Sequence, residues 1–337
     1  MTTAVLPPVD PPLVDQPRFV DPGLPPSDKA FRHIARSIGI VVLALTGSIG
    51  LFLGYQSIPT LDRYGFAFFT QTQWEPARNT IGIAAVLLGT IQVALIALVI
   101  GFPIAFALAL YVSEYAPAWA RSTLVALIDL MAAVPSIIYG MWGARFLQPH
   151  AIYVSRWLHQ NLGFIPLFHV DTNPNAATWE QSRYTTSAFI AGIAVAMMVI
   201  PLAAAVMRGV FAQAPIGERE AAYALGSTRW GMVRAVVIPF GRGGMIGGTM
   251  LALGRALGET IAVLLIISPA YEPKWSIIET GTQTISGLIA SLFGEATKAQ
   301  LSALLTAGFV LFVMTIIVNT IAAIFVTRSR SGAAVEI

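Results

Sequence analysis

Six apolar stretches, each long enough to cross a lipid bilayer as a helix, dominate this sequence at residues 34–54, 81–112, 123–147, 187–207, 243–267 and 301–326. A hydrocarbon core about 30 Å thick takes about 20 helical residues to span. The second stretch is long enough to suggest two helices. At 1.5 Å per residue it reaches only about 48 Å, which is too short for two crossings and a turn. It reads as one long or tilted helix, with Gly101-Phe102-Pro103 as the place for a bend. Apolar residues make up 56% of the chain and charged residues 11%, with a mean hydropathy of +0.72. No soluble domain of this length needs that much apolar surface, so the fold class is an all-α integral membrane protein with six transmembrane helices.

The remaining composition removes several function classes. There is no cysteine, hence no disulfide framework and no thiol chemistry. His33, His150, His159 and His169 show no metal-ligand spacing, so no metal is expected. The net charge of +3 comes from basic residues scattered at helix ends, which fits membrane topology and not nucleic-acid binding. Residues 1–30 are rich in proline and acids and read as a disordered tail. The apolar stretch after it reads as a retained anchor, because it starts late and is too long for a signal core. Residues 31–327 then form the membrane domain, and 328–337 a second tail.

An even number of crossings puts both termini on one side. Arg18, Lys29, Arg32, Arg36, Arg121, Arg208, Arg219, Arg229, Arg234, Arg242, Arg328 and Arg330 fall on that side. Only Arg63, Arg78, Arg145, Arg156, Arg183, Lys274 and Lys298 fall on the other, so the termini are expected in the cytoplasm. The outer segments 55–80 and 152–186 carry Trp74, Tyr153, Trp157, Trp179 and Tyr184. These read either as an interfacial aromatic belt or as a docking surface for an extracytoplasmic partner.

Between the fourth and fifth stretches lies a polar loop, residues 216–240, containing E-R-E-A-A-Y-A-L-G-S-T-R-W-G-M-V-R-A-V-V-I-P-F from Glu218 to Phe240. Ala221, Ala222 and Ala224 favour helix and project little, so another protein can approach the backbone closely. Gly226 permits a left-handed turn where the first short helix stops, and Arg229 to Val237 can resume as a second. The pattern resembles the EAA loop of ATP-binding-cassette importer permeases, E-A-A-x3-G-x9-I-x-L-P. Glu220, Ala221, Ala222, Gly226 and Pro239 match it, while Val236 and Ile238 keep the apolar character of the two aliphatic positions. The resemblance implies that this loop docks on a separate ATPase. The chain has no G-x4-G-K-[S/T] phosphate loop, so no enzymatic activity or cofactor is expected and ATP would be bound by a partner.

Only Arg255 places a basic group deep in a stretch, within L-A-L-G-R-A-L-G-E-T. A charge near the bilayer centre costs about 2.5–3.5 kcal/mol unless it is paired or faces a polar cavity. On a continuous helix Arg255 and Glu259 share one face, close enough to pair. They read either as a structural ion pair or as an oxyanion site, with Glu259 holding Arg255 when the site is empty. Gly243, Gly244, Gly247, Gly248, Gly254 and Gly258 form a small-residue face suited to a partner helix. Asp129 either pairs with a basic residue at the cytoplasmic edge or lines the path. Pro135 is expected to kink the third helix, with Ser136 satisfying the freed carbonyls.

Four further motifs narrow the resemblance: F-F-T-Q-T-Q-W-E-P at Phe68, Y-V-S-E-Y-A-P at Tyr111, V-P-S-I-I-Y-G-M-W-G at Val134 and G-R-A-L-G-E-T at Gly254. Together they are similar to the PstC-type permeases of bacterial phosphate importers, over roughly residues 34–326. This family implies the type I importer permease (MetI-like) fold. It also implies a PstA-type permease partner, two PstB-type ATPase subunits and a PstS-type phosphate-binding protein. Its charged translocation residues correspond to Arg255 and Glu259, and Asp129, Ser136, Tyr139 and Thr260 complete the candidate path. Other oxyanions, such as sulfate or molybdate, and a motor-independent channel or signalling role are the alternative readings.

Overall fold

The computed structural model describes residues 26–172 and 180–329. The proline-rich stretch up to residue 25, Trp179 and residues 330–337 lie outside that range. Helix α1 spans Pro26–Tyr64, so it begins inside the segment read as a tail. Pro26 at its first position and Asp28 in its first turn suit a helix start. Two compact units divide within α1, between Ile49 and Gly50. In the first, the described residues are exposed along their whole length. The second unit holds everything from Gly50 onward.

In that second unit a short helix α2 (Ala67–Thr70) leads into a hairpin of β1 (Trp74–Glu75) and β2 (Thr80–Ile81). Asn79 makes its turn at φ 58°. The hairpin is the one pair of strands among the described residues, with an isolated bridge between Ser187 and Thr280 elsewhere in the unit. Helix α3 (Ala84–Leu110) runs unbroken through Pro103 and ends in a π turn, Tyr111–Tyr115. The second stretch is therefore a single helix.

The third stretch is not a kinked helix but a broken one. Helix α4 (Ala118–Ala133) stops, Val134 and Pro135 are extended, and the chain turns by 88° into Ser136–Leu162. That second arm consists of α5 (Ser136–Trp142), a π turn and α6 (Gln148–Leu162). A proline disfavours the helical conformation in the residue before it, which is why Val134 leaves the helix. The expected role of Ser136 falls to Tyr139, whose hydroxyl donates to the Met131 carbonyl at 2.9 Å across the break.

Helix α7 (Ala188–Phe211) is the centre of the unit, packed chiefly on α3 and on α10 (Ile238–Leu257). After α7 the polar loop comprises α8 (Ile216–Ala224), α9 (Arg229–Met232) and a π turn (Val233–Val237) that runs directly into α10. Lipid tails supply no hydrophobic drive between helices, so close packing must come from small side chains. A side chain at Gly192 would overlap Ile96 of α3, and one at Gly244 or Gly248 would press on Val210 or the Ala203 carbonyl of α7. Much of the expected small-residue face of α10 thus packs within the chain, while Gly247 has no atom near it.

The fifth stretch is broken as well. Helix α10 ends at Leu257, Gly258–Thr260 is non-helical, and α11 (Ile261–Ile266) follows. An irregular segment then leads to α12 (Ile285–Leu292) and the final long helix α13 (Lys298–Ser329). Among the described residues, five helices are long and apolar enough to cross a membrane, and six if the bent pair counts as one span.

Helices α5 and α11, one from each broken span, cross at Gly140, where an added Cβ would lie 2.7 Å from the Cα of Ala262. Gly140→Ala should cost about 1–3 kcal/mol by forcing these backbones apart. Gly247→Ala should leave the melting temperature of the purified protein unchanged, and thermal unfolding in detergent compares the two.

Candidate functional site

The two breaks bring most of the candidate path residues together. Tyr139, buried, spans the first break, and Ser136 starts the helix that follows it. Arg255 stands exposed in the last turn of α10, where a cation suits the helix's negative end. Glu259 sits within the break with only 8% of its surface exposed. Its carboxylate accepts the Ala262 backbone N–H at 3.1 Å, in the first turn of α11 where an anion is favoured. Thr260, part-buried beside it, turns its hydroxyl to the Gly258 carbonyl at 3.2 Å.

The expected Arg255–Glu259 ion pair is absent among the described residues. The physical reason is the break: i, i+4 neighbours face one another only on a continuous helix. Each charge settles on the end of a different helix instead. Arg255 has no carboxylate partner among the described residues, which leaves its guanidinium donors exposed beside an unwound backbone. Asp129 lies apart from this group and pairs with Arg208 of α7 at 3.7 Å, the first of the two roles open to it.

Residues not singled out in the sequence also hold the break. Ser286 of α12 donates to the Glu259 carbonyl at 2.8 Å, and Thr284 caps α12 by accepting the Gly287 N–H at 3.2 Å. Thr90 of α3 accepts the Ile285 N–H at 2.9 Å. The available signal was the polar run T-Q-T-I-S at Thr282, unusual between two apolar stretches.

The polar loop forms two short helices around a turn, as its pattern required. Gly226 adopts φ +80°, and the Thr228 hydroxyl caps α9 by accepting the Gly231 N–H at 3.1 Å. Glu218, Glu220, Ala221, Ala224 and Pro239 are exposed, whereas Ala222 is buried and packs inward. Ile216, Tyr223, Leu225 and Trp230 add exposed apolar surface, with Leu225 at 88%. Arg219 turns the other way. It donates to the Glu114 carboxylate at 2.9 Å, to the Phe211 carbonyl at 2.7 Å and to the Ala214 carbonyl at 3.1 Å. Glu114 lies in the π turn after α3, just beyond the second apolar stretch.

Of the outer aromatics, Trp74 and Tyr184 are buried and belong to the core, while Tyr153 and Trp157 are more than half exposed.

The family profile for the binding-protein-dependent transport system inner membrane component matches residues 101–331. The chain belongs to this family. Members are transporter permease subunits and not themselves enzymes, and membership implies an ATPase and a binding protein as partners. The phosphate transport system permease protein PstC of Xylella fastidiosa is 39% identical over 296 residues, 88% of this chain and 89% of that protein. The probable phosphate transport system permease protein PstC of Methanocaldococcus jannaschii is 37% identical over 307 residues, 89% of this chain and 94% of that protein. A subunit of a bacterial alginate ABC transporter, solved with an alginate pentasaccharide-bound periplasmic protein, has the same fold. Its TM-score is 0.54 at 16% identity, covering 90% of this chain and 99% of that one.

Because Glu259 works as a backbone acceptor, Glu259→Gln should retain thermal stability, since its amide oxygen can still take the Ala262 N–H. Glu259→Ala should lose about 1 kcal/mol, the usual value of such a cap. Equal losses in the two variants, read by thermal melting, would show that the charge and not the acceptor matters there.

Proposed function

We propose that this chain is a phosphate permease subunit of an ATP-driven importer, supplying half of a translocation path and taking its drive from a separate ATPase. The observation that carries this reading is Arg255, an exposed guanidinium without an ion-pair partner among the described residues, in the last turn of an apolar helix and beside an unwound backbone. Irregular backbone at membrane depth is tolerated where protein or a water-filled cavity covers it. A planar guanidinium with free donors suits a tetrahedral oxyanion, which it can hold through two parallel hydrogen bonds. Likeness to proteins named as phosphate permeases, over nearly the whole chain, favours phosphate over sulfate or molybdate.

In this reading Glu259 orients the break and contributes a negative edge, and Thr260, Ser136 and Tyr139 offer neutral polar groups near the path. Asp129, held by Arg208, sets the end of α4 and does not touch the ion. The coupling loop and both termini face the cytoplasm, on the side richer in basic residues. Glu220, Ala221 and Gly226 present the knob to a PstB-type ATPase, and Pro239 starts the helix that leads to Arg255. A PstA-type permease completes the path, and a PstS-type binding protein delivers phosphate from outside.

Vesicles containing the reconstituted complex should take up labelled phosphate, and not sulfate, with ATP hydrolysis. Sulfate-driven hydrolysis without a phosphate response overturns the assignment. Arg255→Gln should assemble normally yet lose uptake about tenfold or more, the scale of one lost charge-assisted hydrogen bond. Loss of assembly in its place would make Arg255 structural. Replacing Gly226 with Val, which disfavours a positive φ, should release the ATPase from the purified complex while membrane insertion continues.

A further inference from the structure

A second polar cluster lies away from the path, where the coupling loop meets the end of α3. Glu114 has 3% of its side chain exposed. It follows a helix C-terminus, the end of the macrodipole that repels an anion. Such a carboxylate is tolerated only with strong partners, and it has two: the Ser113 hydroxyl at 2.7 Å and Arg219 at 2.9 Å. Arg219 spends its other donors on the Phe211 and Ala214 carbonyls at the end of α7. One guanidinium in α8 therefore clasps the ends of both α3 and α7, the two most extensively packed helices of the unit.

Two other arginines converge on the same turn. Arg229 of α9 lies over the Tyr115 ring at 5.0 Å, and Arg121 of α4 donates to the Val112 and Ser113 carbonyls. The turn itself is a π turn closed by Ala116 N–H on the Tyr111 carbonyl at 2.8 Å. Such turns recur at functional positions. The packing of α8 is otherwise chiefly on α9 and the π turn of its own loop. Net stability does not account for the arrangement, since a buried ion pair rarely outperforms an apolar pair of the same volume.

From this geometry we infer that Glu114 and Arg219 are a positioning pair that locks the coupling loop to α3 and α7, so that movement of the docked loop is handed to the spans. The inference rests on the coupling role given above to the loop. Neither residue touches the transported ion. The knob residues would receive the motor, and this pair would carry the displacement inward. Without it α8 keeps its packing within its own loop, and that loop keeps the Arg229–Tyr115 contact, but α8 loses its charged link to the end of α3.

The test uses the whole reconstituted complex and reads phosphate uptake per ATP hydrolysed. Glu114→Gln is nearly isosteric, keeps an oxygen for Arg219 and loses the charge. It should assemble with the ATPase in wild-type proportion and hydrolyse ATP, while uptake per ATP falls about tenfold, the scale of one charge-assisted hydrogen bond. Arg219→Lys keeps the charge but loses the fork that spans two helix ends, and should give an intermediate ratio. Wild-type uptake per ATP in Glu114→Gln overturns the inference and leaves the importer reading intact. Failure of Glu114→Gln to assemble also overturns it, because the pair is then purely structural. Should the wild-type chain recruit no ATPase, the importer reading fails and the inference falls with it.

Discussion

Backbone hydrogen bonding in an apolar surrounding is the constraint on which the structure turns. A helix satisfies it unaided, and each interruption must be repaired by side chains brought from elsewhere. At the first break the Tyr139 hydroxyl takes up the Met131 carbonyl. At the second the Glu259 carboxylate takes the Ala262 N–H, and Ser286 takes the Glu259 carbonyl. The repaired arms then cross at Gly140 and Ala262, where no side chain fits between the backbones. The two irregular points thereby support one another in the same unit, and the exposed Arg255 stands next to one of them.

The charges obey the same economy. Arg219 occupies carbonyls at the end of α7, Asp129 meets Arg208, and Glu259 sits at the start of α11. Each is placed where a helix end or an opposite charge offsets its desolvation. Arg255 has the helix end but no counter-charge among the described residues, which leaves its guanidinium exposed. The coupling loop shows a similar division of faces. Its apolar and small residues point away from the chain, while Arg219 and Ala222 point back into it.

Much of this was legible in the residues. Apolar length gave the spans, and Gly226 with the alanines before it gave a two-helix knob, because a left-handed turn and a helix start have local chemical signatures. The expected kink at Pro135 was right in place and wrong in size, since the proline marks where the helix must yield but not where the next arm goes. The break at Gly258 escaped notice because G-R-A-L-G-E-T is compatible with a continuous helix, and an ion pair along that helix was then a fair expectation. Glu114 escaped notice because its partner lies 105 positions away.

By itself, then, the sequence determined the class, the spans, the two-helix polar loop and the residues that carry charge into the spans, all of which follow from local composition and spacing. Tertiary structure alone decided which charges pair, where the fifth span unwinds, and that the loop is clasped to the ends of α3 and α7. Those outcomes depend on which distant groups can satisfy a freed backbone or a buried charge at least cost, and that is settled only when the helices are packed together.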